Sequence, residues 1–322
     1  PHRGCRLPVA RCRLPVAGCR LPVAGCRYDP AMHRLGLALA LIAMTGLSAG
    51  AQPAAAPAPD ARVAFVTGST DGLGRELARR LAAQGAHVIV HGRNGERGQA
   101  LVAEIEKAGK GSARFYRADF ASLAEVRTLA DAITRDYSRL DLLVNNAGIF
   151  LRDERQVSAD GHELTFAVNY LAGYILTHRL LPLLEKGRAP RIINVSSRSA
   201  APIDFTDVMI ERGYTGYRAY SQSKLAQVMF TIDLAEELKS KGIVVQAVHP
   251  ATGMDTNMIA SVGMTPRTTI DEGADAVMAA IATDAPSGSY FLGKVVSPPH
   301  AQATDADARR QLREISTRLT MK

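Results

Sequence analysis

The sequence predicts a single doubly wound α/β domain with a seven-stranded parallel sheet, occupying residues 61–322. Short apolar runs rich in β-branched residues alternate with longer runs whose apolar positions recur every three to four residues, as expected for strands joined by helices. No Gly/Ser/Pro-rich boundary divides this part of the chain. We predict strands at residues 63–66, 87–90, 113–117, 140–144, 191–195, 244–248 and 290–292.

The first 31 residues form a low-complexity repeat. Cys5, Cys12, Cys19 and Cys26 lie seven residues apart, and no cysteine follows them. A disulfide scaffold would spread its cysteines among the elements to be joined, and a zinc site would need closer pairs or histidines. Each repeat also contains a proline, which excludes a coiled-coil heptad. We therefore expect residues 1–31 to have no fold and to bind no metal.

Residues 32–51 have the three-part pattern of a secretory signal peptide. Met32 is followed by His33 and Arg34, an apolar run over 35–47 and small residues at 49–51. The apolar run is shorter than the roughly 20 residues of a spanning helix, so a permanent anchor is the weaker interpretation. An Ala/Pro linker follows at 52–60. These features predict an exported, periplasmic or membrane-associated protein; the alternative is a cytoplasmic protein.

The positive charge is concentrated outside the predicted domain. The net charge is +8, but residues 1–51 contain seven arginines and a single acid. The remaining chain is nearly neutral, whereas phosphate backbones require a concentrated basic face. The sequence therefore excludes nucleic acid as a partner and leaves the membrane as a partner only through the N-terminal segment.

A glycine-rich turn follows the first predicted strand. Gly68, Gly72 and Gly74 allow the backbone to turn tightly and to approach a pyrophosphate at the start of the next helix. This arrangement is typical of a Rossmann-type dinucleotide site, although a plain glycine-rich turn is the alternative for the triplet alone. The cofactor-binding residues predicted from this turn are Gly68, Ser69, Thr70, Gly72, Leu73 and Gly74.

The end of the second strand predicts which dinucleotide binds. A fold that prefers NAD usually has an acid there for the ribose hydroxyls, but this chain has Gly92 and Arg93. A guanidinium suits a 2′-phosphate, so we expect NADP(H) to be preferred over NAD(H), with Arg75 as a second candidate contact. The alternative is that Arg93 is a solvated loop residue.

Tyr220 and Lys224 are the predicted catalytic pair. Their separation by four residues places them on one face of a helix, about one turn apart. A neighbouring ammonium is expected to lower the pKa of the Tyr220 phenol, so that it exchanges a proton with a carbonyl or alcohol oxygen near neutral pH.

Together these motifs resemble the short-chain dehydrogenase/reductase family from about Arg62 to the C-terminus. Asn169 resembles the family's proton-relay asparagine and Ser197 the serine that positions the substrate oxygen. The resemblance implies that Tyr220 is the acid/base and that Lys224 binds the nicotinamide ribose. The further cofactor contacts that it implies are Asp119 at the adenine, Asn146, Ala147 and Gly148 after the fourth strand, and Pro250 and Thr252 after the sixth.

The resemblance also implies a substrate class. Residues 200–217 form an insertion similar to that of the retinol-dehydrogenase-like and protochlorophyllide-reductase-like branches, which points to a lipophilic substrate. Residues 254–266 occupy the position of a substrate-covering loop; plain packing is the alternative for their apolar side chains. The chain departs from the family at Ala251, where a glycine is usual, so either Thr252 or Thr256 would contact the nicotinamide amide.

The resemblance implies an oxidoreductase that transfers a hydride between nicotinamide and a carbonyl or alcohol carbon. A non-catalytic NADP(H)-responsive binding protein is the alternative, and an epimerase or dehydratase is disfavoured by the glycine spacing. A homodimer or homotetramer is expected, formed through the helices that carry Asn169 and Tyr220.

Overall fold

The computed structural model describes residues 57–152 and 154–321. The predictions for the repeat over 1–31, for the segment over 32–51 and for most of the linker over 52–60 lie outside the described residues. Within the described ranges, no helix is long and apolar enough to span a bilayer.

The described chain forms one sheet in the order β3-β2-β1-β4-β5-β6-β7-β8. The seven predicted strands are confirmed as mutually parallel neighbours. An eighth, two-residue strand pairs antiparallel with β7 at the edge, so the sheet has one strand more than predicted. The strands are β1 Val63–Val66, β2 His87–Gly92, β3 Ser112–Arg117, β4 Leu142–Asn145, β5 Arg191–Val195, β6 Val244–His249, β7 Tyr290–Leu292 and β8 Val295–Val296.

Helices cover both faces of the sheet. They are α1 Gly72–Ala83, α2 Gly95–Ala108, α3 Leu123–Asp136, α4 Leu164–Phe166, α5 Ala172–Leu184, α6 Gly216–Glu237, α7 Asn257–Ser261, α8 Ile270–Ala282, α9 Ala301–Thr304 and α10 Ala306–Thr320. One apolar core packs α1, α2 and α8 against the sheet, and the other packs α3, α5, α6 and α10 against the opposite face. Because both faces are buried, the strands are almost continuously apolar rather than alternating.

The strand order places a crevice at the carboxyl ends of β1 and β4. Strands β2 and β3 lie on one side of β1, and strands β4, β5 and β6 lie on its other side. Open α/β sheets bind ligands where the strand order reverses in this way. The glycine-rich turn after β1 and the Asn145–Gly148 segment at the end of β4 both lie at this crevice.

The C-terminal helix α10 packs on α5 and α6. The Tyr170 and Tyr174 hydroxyls hydrogen-bond with Ser316 at 2.8 Å and Thr317 at 3.0 Å, and Leu312 is buried in the shared core. Arg313 of α10 forms an ion pair with Asp233 of α6. The homodimer or homotetramer stays a prediction, and a contact through α5 and α6 would have to accommodate α10.

Candidate active site

A single continuous cleft of about 670 Å³ runs along the carboxyl ends of the strands. One end is lined by the glycine-rich turn and by the loops after β2 and β3, and the other by α6, α7 and the loop after β4. The predicted site residues that line it are Gly68, Thr70, Gly72, Leu73, Gly74, Arg93, Asp119, Asn146, Ala147, Gly148, Ser197, Tyr220, Lys224, Pro250 and Thr252. Ser69 and Asn169 lie behind this lining.

The glycine-rich turn has no space for side chains at two positions. Gly68 has a φ of +63°, and a Cβ there would lie 2.9 Å from the Ala147 Cα. A Cβ on Gly74 would lie 2.3 Å from the Gly68 carbonyl oxygen and 2.4 Å from the Asn146 side chain. The turn therefore requires glycine at both positions, which leaves its backbone exposed to the cleft.

The segment after β4 fixes the shape of this turn. The Thr67 hydroxyl accepts hydrogen bonds from the Asn146 and Ala147 amides, each at 2.9 Å. The Asn146 side chain donates to the Thr67 and Gly68 carbonyls at 2.9 and 3.2 Å. These bonds hold the segment after β4 against the turn. At the start of α1, the Gly72 amide donates to the Asp71 side chain at 2.9 Å.

His91 is a residue of the cofactor site that the sequence analysis missed. Its Nδ1 accepts from the Gly68 amide at 3.1 Å, its Nε2 lies 3.2 Å from the Ala118 carbonyl, and its ring stacks on Phe120. Burial lowers the pKa of His91 to about 4, so the ring is neutral at pH 7 and can accept from Gly68. His91 therefore links the glycine-rich turn to the ends of β2 and β3. Its position at the end of the predicted second strand was the sequence feature that could have identified it.

The end of β2 presents a cation to the cleft and excludes an acid. Arg93 is 68% exposed, and its nearest carboxylate, on Asp119, is 3.8 Å away. A Cβ on Gly92 would lie 2.5 Å from the Thr70 hydroxyl oxygen, so a larger residue there would require Thr70 to move. Arg75, the second candidate for the 2′-phosphate, forms an ion pair with Glu104 instead and does not line the cleft.

The predicted catalytic pair lies at the other end of the cleft. Tyr220 and Lys224 share one face of α6, as predicted, and the Lys224 Nζ is 5.6 Å from the centre of the Tyr220 ring. The Tyr220 ring also stacks on Phe150, with their centres 4.7 Å apart. Ser197 follows β5 and lies close enough to the Tyr220 hydroxyl to act on its pKa. The structure thus brings Ser197, Tyr220 and Lys224 together.

The Asn169 side chain connects the loop after β4 to α6. It lies in a π-helical turn, Ala167–Leu171, which precedes α5. Its side-chain oxygen accepts from the Ile149 amide at 2.7 Å, and its nitrogen donates to the Ile149 carbonyl and to the Ser223 hydroxyl. Its side chain therefore contacts the loop after β4 and α6 rather than Tyr220 or Lys224.

The pKa of Tyr220 shifts against the predicted direction. Burial raises the pKa of the Tyr220 phenol, and only the hydrogen bond with Ser197 acts to lower it. Burial also lowers the pKa of Lys224 to about 7. The lysine is therefore largely neutral above that pH and provides little positive charge to stabilise a phenolate. The expectation that the Lys224 ammonium lowers the Tyr220 pKa is wrong for this geometry, because burial acts on both groups.

The two candidate threonines after β6 lie at different places in the cleft. The Thr252 hydroxyl is 3.1 Å from His249 Nε2, whereas Thr256 packs against Gly72 at the glycine-rich turn. Burial, together with the charges of Arg198 and Lys224, lowers the pKa of His249 to about 4. This placement favours Thr252 as the threonine nearer the Lys224 end.

The cleft beside Tyr220 has apolar walls. Side chains from the loop after β4, from α4, from the π-helical turn and from the 254–266 loop face one another there. The apolar residues that line this end are Phe150, Leu151, Leu164, Val168, Tyr217, Met258, Ile259 and Met264.

The residues present fit a nicotinamide dinucleotide. The crowded glycines at 68 and 74 form a tight turn beside the cleft, the glycine cradle, in which a Cβ would clash with protein atoms, and Arg93 adds a cation at one end. Lys224 is only 3% exposed at the other end, yet it lines the cleft and hydrogen-bonds with no carboxylate among the described residues. Such an amine can donate to ribose hydroxyls.

The chain is similar to known proteins over most of its length. The short chain dehydrogenase family matches residues 62–266. Polyprenol dehydrogenase from Mus musculus is 34% identical over 316 residues, covering 90% of this chain and 93% of that protein. Retinol dehydrogenase 13 from Homo sapiens is 32% identical over 295 residues, covering 85% of this chain and 88% of that protein.

A solved structure shows the same similarity. A short chain dehydrogenase from Burkholderia cenocepacia in complex with NADP has a TM-score of 0.59 and 30% identity, covering 72% of this chain and 95% of that one. The chain belongs to the short-chain dehydrogenase family, in its retinol-dehydrogenase-like branch, and is therefore a nicotinamide-dependent oxidoreductase.

Proposed function

We propose that this protein is an NADP(H)-dependent oxidoreductase that transfers a hydride between nicotinamide and the carbonyl or alcohol carbon of a lipophilic substrate. The observation that carries the proposal is one cleft with a glycine cradle and Arg93 at one end and with Ser197 and Tyr220 between apolar walls at the other. A cofactor and an apolar substrate can therefore meet at Tyr220.

The chain's own residues supply the proton and the positioning. In carbonyl reduction, the Tyr220 hydroxyl gives its proton to the substrate oxygen, and the Ser197 hydroxyl donates a hydrogen bond to the same oxygen. Lys224 donates to the ribose hydroxyls and, when protonated, stabilises the Tyr220 phenolate. Asn169 holds the loop after β4 against α6. The bound nicotinamide supplies or accepts the hydride.

Recognition of the cofactor is divided between backbone and side chains. The turn over Gly68, Ser69 and Thr70, with Gly72, Leu73 and Gly74 at the start of α1, would face the pyrophosphate. Asp119 would contact the adenine. Asn146, Ala147, Gly148, Pro250 and Thr252 would line the path of the nicotinamide half.

We expect Arg93→Leu to weaken NADPH binding about tenfold to a hundredfold and to leave NADH binding unchanged. A charge-assisted hydrogen bond to the 2′-phosphate is worth about 1.5–3 kcal/mol, and NADH lacks that phosphate. Fluorescence titration with both cofactors measures the two affinities. Arg75→Leu is the matched control, because Arg75 is already paired with Glu104. Equal losses for NADPH and NADH in Arg93→Leu would contradict the preference for NADP(H).

The apolar walls predict that catalytic efficiency rises with substrate chain length. In a series of straight-chain aldehydes assayed with NADPH, each added methylene should raise kcat/KM by up to about fourfold until the cleft is filled, since burying one methylene contributes about 0.8 kcal/mol. Met258→Ser should reduce this increase. Met321→Ser, at an exposed position outside the cleft, should not.

The names of the relatives support the same substrate class, because retinol and polyprenols are lipophilic alcohols. If kcat/KM of the wild type did not change with the chain length of the aldehyde, the proposal of a lipophilic substrate would be contradicted. Tight NADPH binding without oxidation across the whole carbonyl series would instead support the non-catalytic binding protein.

The proposed location rests on the sequence. The segment over 32–51 would export the domain or attach it to a membrane, and cytoplasmic residence is the alternative. Cell fractionation with sequencing of the mature N-terminus separates these outcomes.

A further inference from the structure

The Lys224 amine is buried beside a neutral side chain. Its Nζ donates to the Val195 carbonyl at 2.9 Å and to the Gln227 side-chain oxygen at 3.0 Å. The first of these acceptors is the last residue of β5, and the second lies three residues further along α6. Among the described residues, Gln227 is the side chain whose oxygen accepts from this amine.

Gln227 is held firmly in that position. It is 4% exposed, and its main-chain carbonyl accepts from the Thr231 hydroxyl at 2.8 Å. The Thr231 hydroxyl in turn accepts from the Asn194 side chain on β5 at 2.8 Å. These bonds hold the main chain of Gln227 on α6 against β5, and burial limits the movement of its side-chain amide away from Lys224.

The titratable groups near Lys224 come from two elements. Tyr220 belongs to α6 itself, and His249 lies at the end of β6, where the charge of Lys224 acts on it. Arg198, which follows β5, also acts on His249, and His249 is neutral at pH 7, so neither group offers Lys224 a negative charge. The dipoles of two carbonyl groups, at Val195 and Gln227, therefore favour the ammonium form against burial.

We propose that Gln227 is a positioning residue for the reaction: with the Val195 carbonyl, its side-chain oxygen holds the Lys224 amine below the Tyr220 ring and stabilises the ammonium without neutralising it. This inference rests on the proposed function, since it assigns the partner of the proposed catalytic lysine. A carboxylate in the same place would also hold the amine, but it would cancel the charge that reaches the Tyr220 phenolate.

Two substitutions should move the titration of Lys224 in opposite directions. Gln227→Met keeps the length and volume but removes the acceptor, so the pKa of Lys224 should fall below its value of about 7. Gln227→Glu adds a carboxylate and should raise that pKa by about one unit or more. If Gln227→Met does not fold, Gln227→Asn, which withdraws the amide by one methylene, replaces it and should lower the pKa in the same direction.

Unfolding measured against pH reports this titration without any substrate or cofactor. The unfolded chain holds the Lys224 proton up to a pKa of about 10.4, whereas the folded chain releases it near pH 7. The unfolded state therefore binds more protons between these values, and this lysine makes stability rise with pH across that window. Subtracting the profile of Lys224→Met isolates its contribution.

We expect the pH range over which Lys224 makes stability rise to begin at lower pH in Gln227→Met and at higher pH in Gln227→Glu. In the wild type, the rate of NADPH-linked turnover should change with pH around pH 7. In each variant, the midpoint of this change should shift in the same direction as the unfolding profile. Gln222→Met is the matched control. It removes another buried glutamine of α6, which bonds to the Val208 carbonyl, and should change stability without moving either profile.

The inference would be overturned if stability rose over the same pH range in Gln227→Met, in Gln227→Glu and in the wild type. That result would show a purely structural glutamine, even if both variants were less stable. Failure of the proposed function looks different, because the wild type would then show no turnover while the unfolding profiles could still shift.

Discussion

Replacing Tyr220 with phenylalanine should lower kcat by about 10³-fold and leave the Kd for NADPH within about threefold, because a positioned general acid contributes about 10²–10⁴-fold. The substitution removes only the hydroxyl that gives its proton to the substrate oxygen. The ring keeps its stacking on Phe150, and Lys224 keeps its hydrogen bonds to Val195 and Gln227. Single-turnover oxidation of NADPH and fluorescence titration measure the two quantities separately.

Tyr116→Phe is the matched control for the loss of a tyrosine hydroxyl. The Tyr116 hydroxyl donates to Asp136, and Tyr116 does not line the cleft. We expect that variant to turn over at the wild-type rate. If Tyr220→Phe retained full turnover, Tyr220 would not be the proton donor.

The second large effect is expected at the glycine cradle, where Gly74→Ala should abolish measurable NADPH binding and lower the free energy of unfolding by about 1–3 kcal/mol. The new Cβ would lie 2.3 Å from a backbone carbonyl oxygen, which cannot move without opening the turn around Gly68. Opening the turn would misdirect the amides that face the pyrophosphate. Thermal unfolding and NADPH titration measure the two losses.

Gly95→Ala provides the matched control at the start of α2. A Cβ there meets no atom within 4 Å, so the substitution should leave NADPH binding unchanged and stability the same or slightly higher. Wild-type NADPH affinity in Gly74→Ala would contradict the assignment of this turn as the pyrophosphate site.

The sheet was predictable because its central strands β1, β2, β4, β5 and β6 are buried on both faces. The predicted ranges 63–66, 191–195 and 290–292 coincide with the observed strands; three others differ by one or two residues at one end, and the range 140–144 differs from β4 at both ends. β8 was missed because a two-residue strand has no period, and its valines are exposed. It exists because the chain reverses after β7 and pairs with it.

Contacts between distant parts of the chain were not predictable in the same way. The packing of Ser316 and Thr317 on Tyr170 of the π-helical turn and on Tyr174 of α5 depends on where α10 docks, and no local sequence pattern predicts that position. The same holds for His91, whose link to Gly68 is created by the pairing of β1 and β2. Both are tertiary contacts between segments that have little local signature.

The position of the catalytic pair followed from helical spacing, but its electrostatics did not. A separation of four residues places Tyr220 and Lys224 together in any helix. Their pKa values depend on burial, and burial is set by the loop after β4, by β5 and by Gln227. Burial shifts the pKa of both groups away from the charged form, which the sequence could not reveal.

The most direct test of the central claim is a crystal structure with NADP⁺ and a bound alcohol or an unreactive analogue. The account predicts that the Tyr220 hydroxyl and the Ser197 hydroxyl both lie within hydrogen-bond distance of the ligand oxygen. The ligand carbon should then lie about 3–3.5 Å from the reactive carbon of the nicotinamide ring. A nicotinamide ring bound away from Tyr220, with Lys224 out of reach of the ribose, would contradict it.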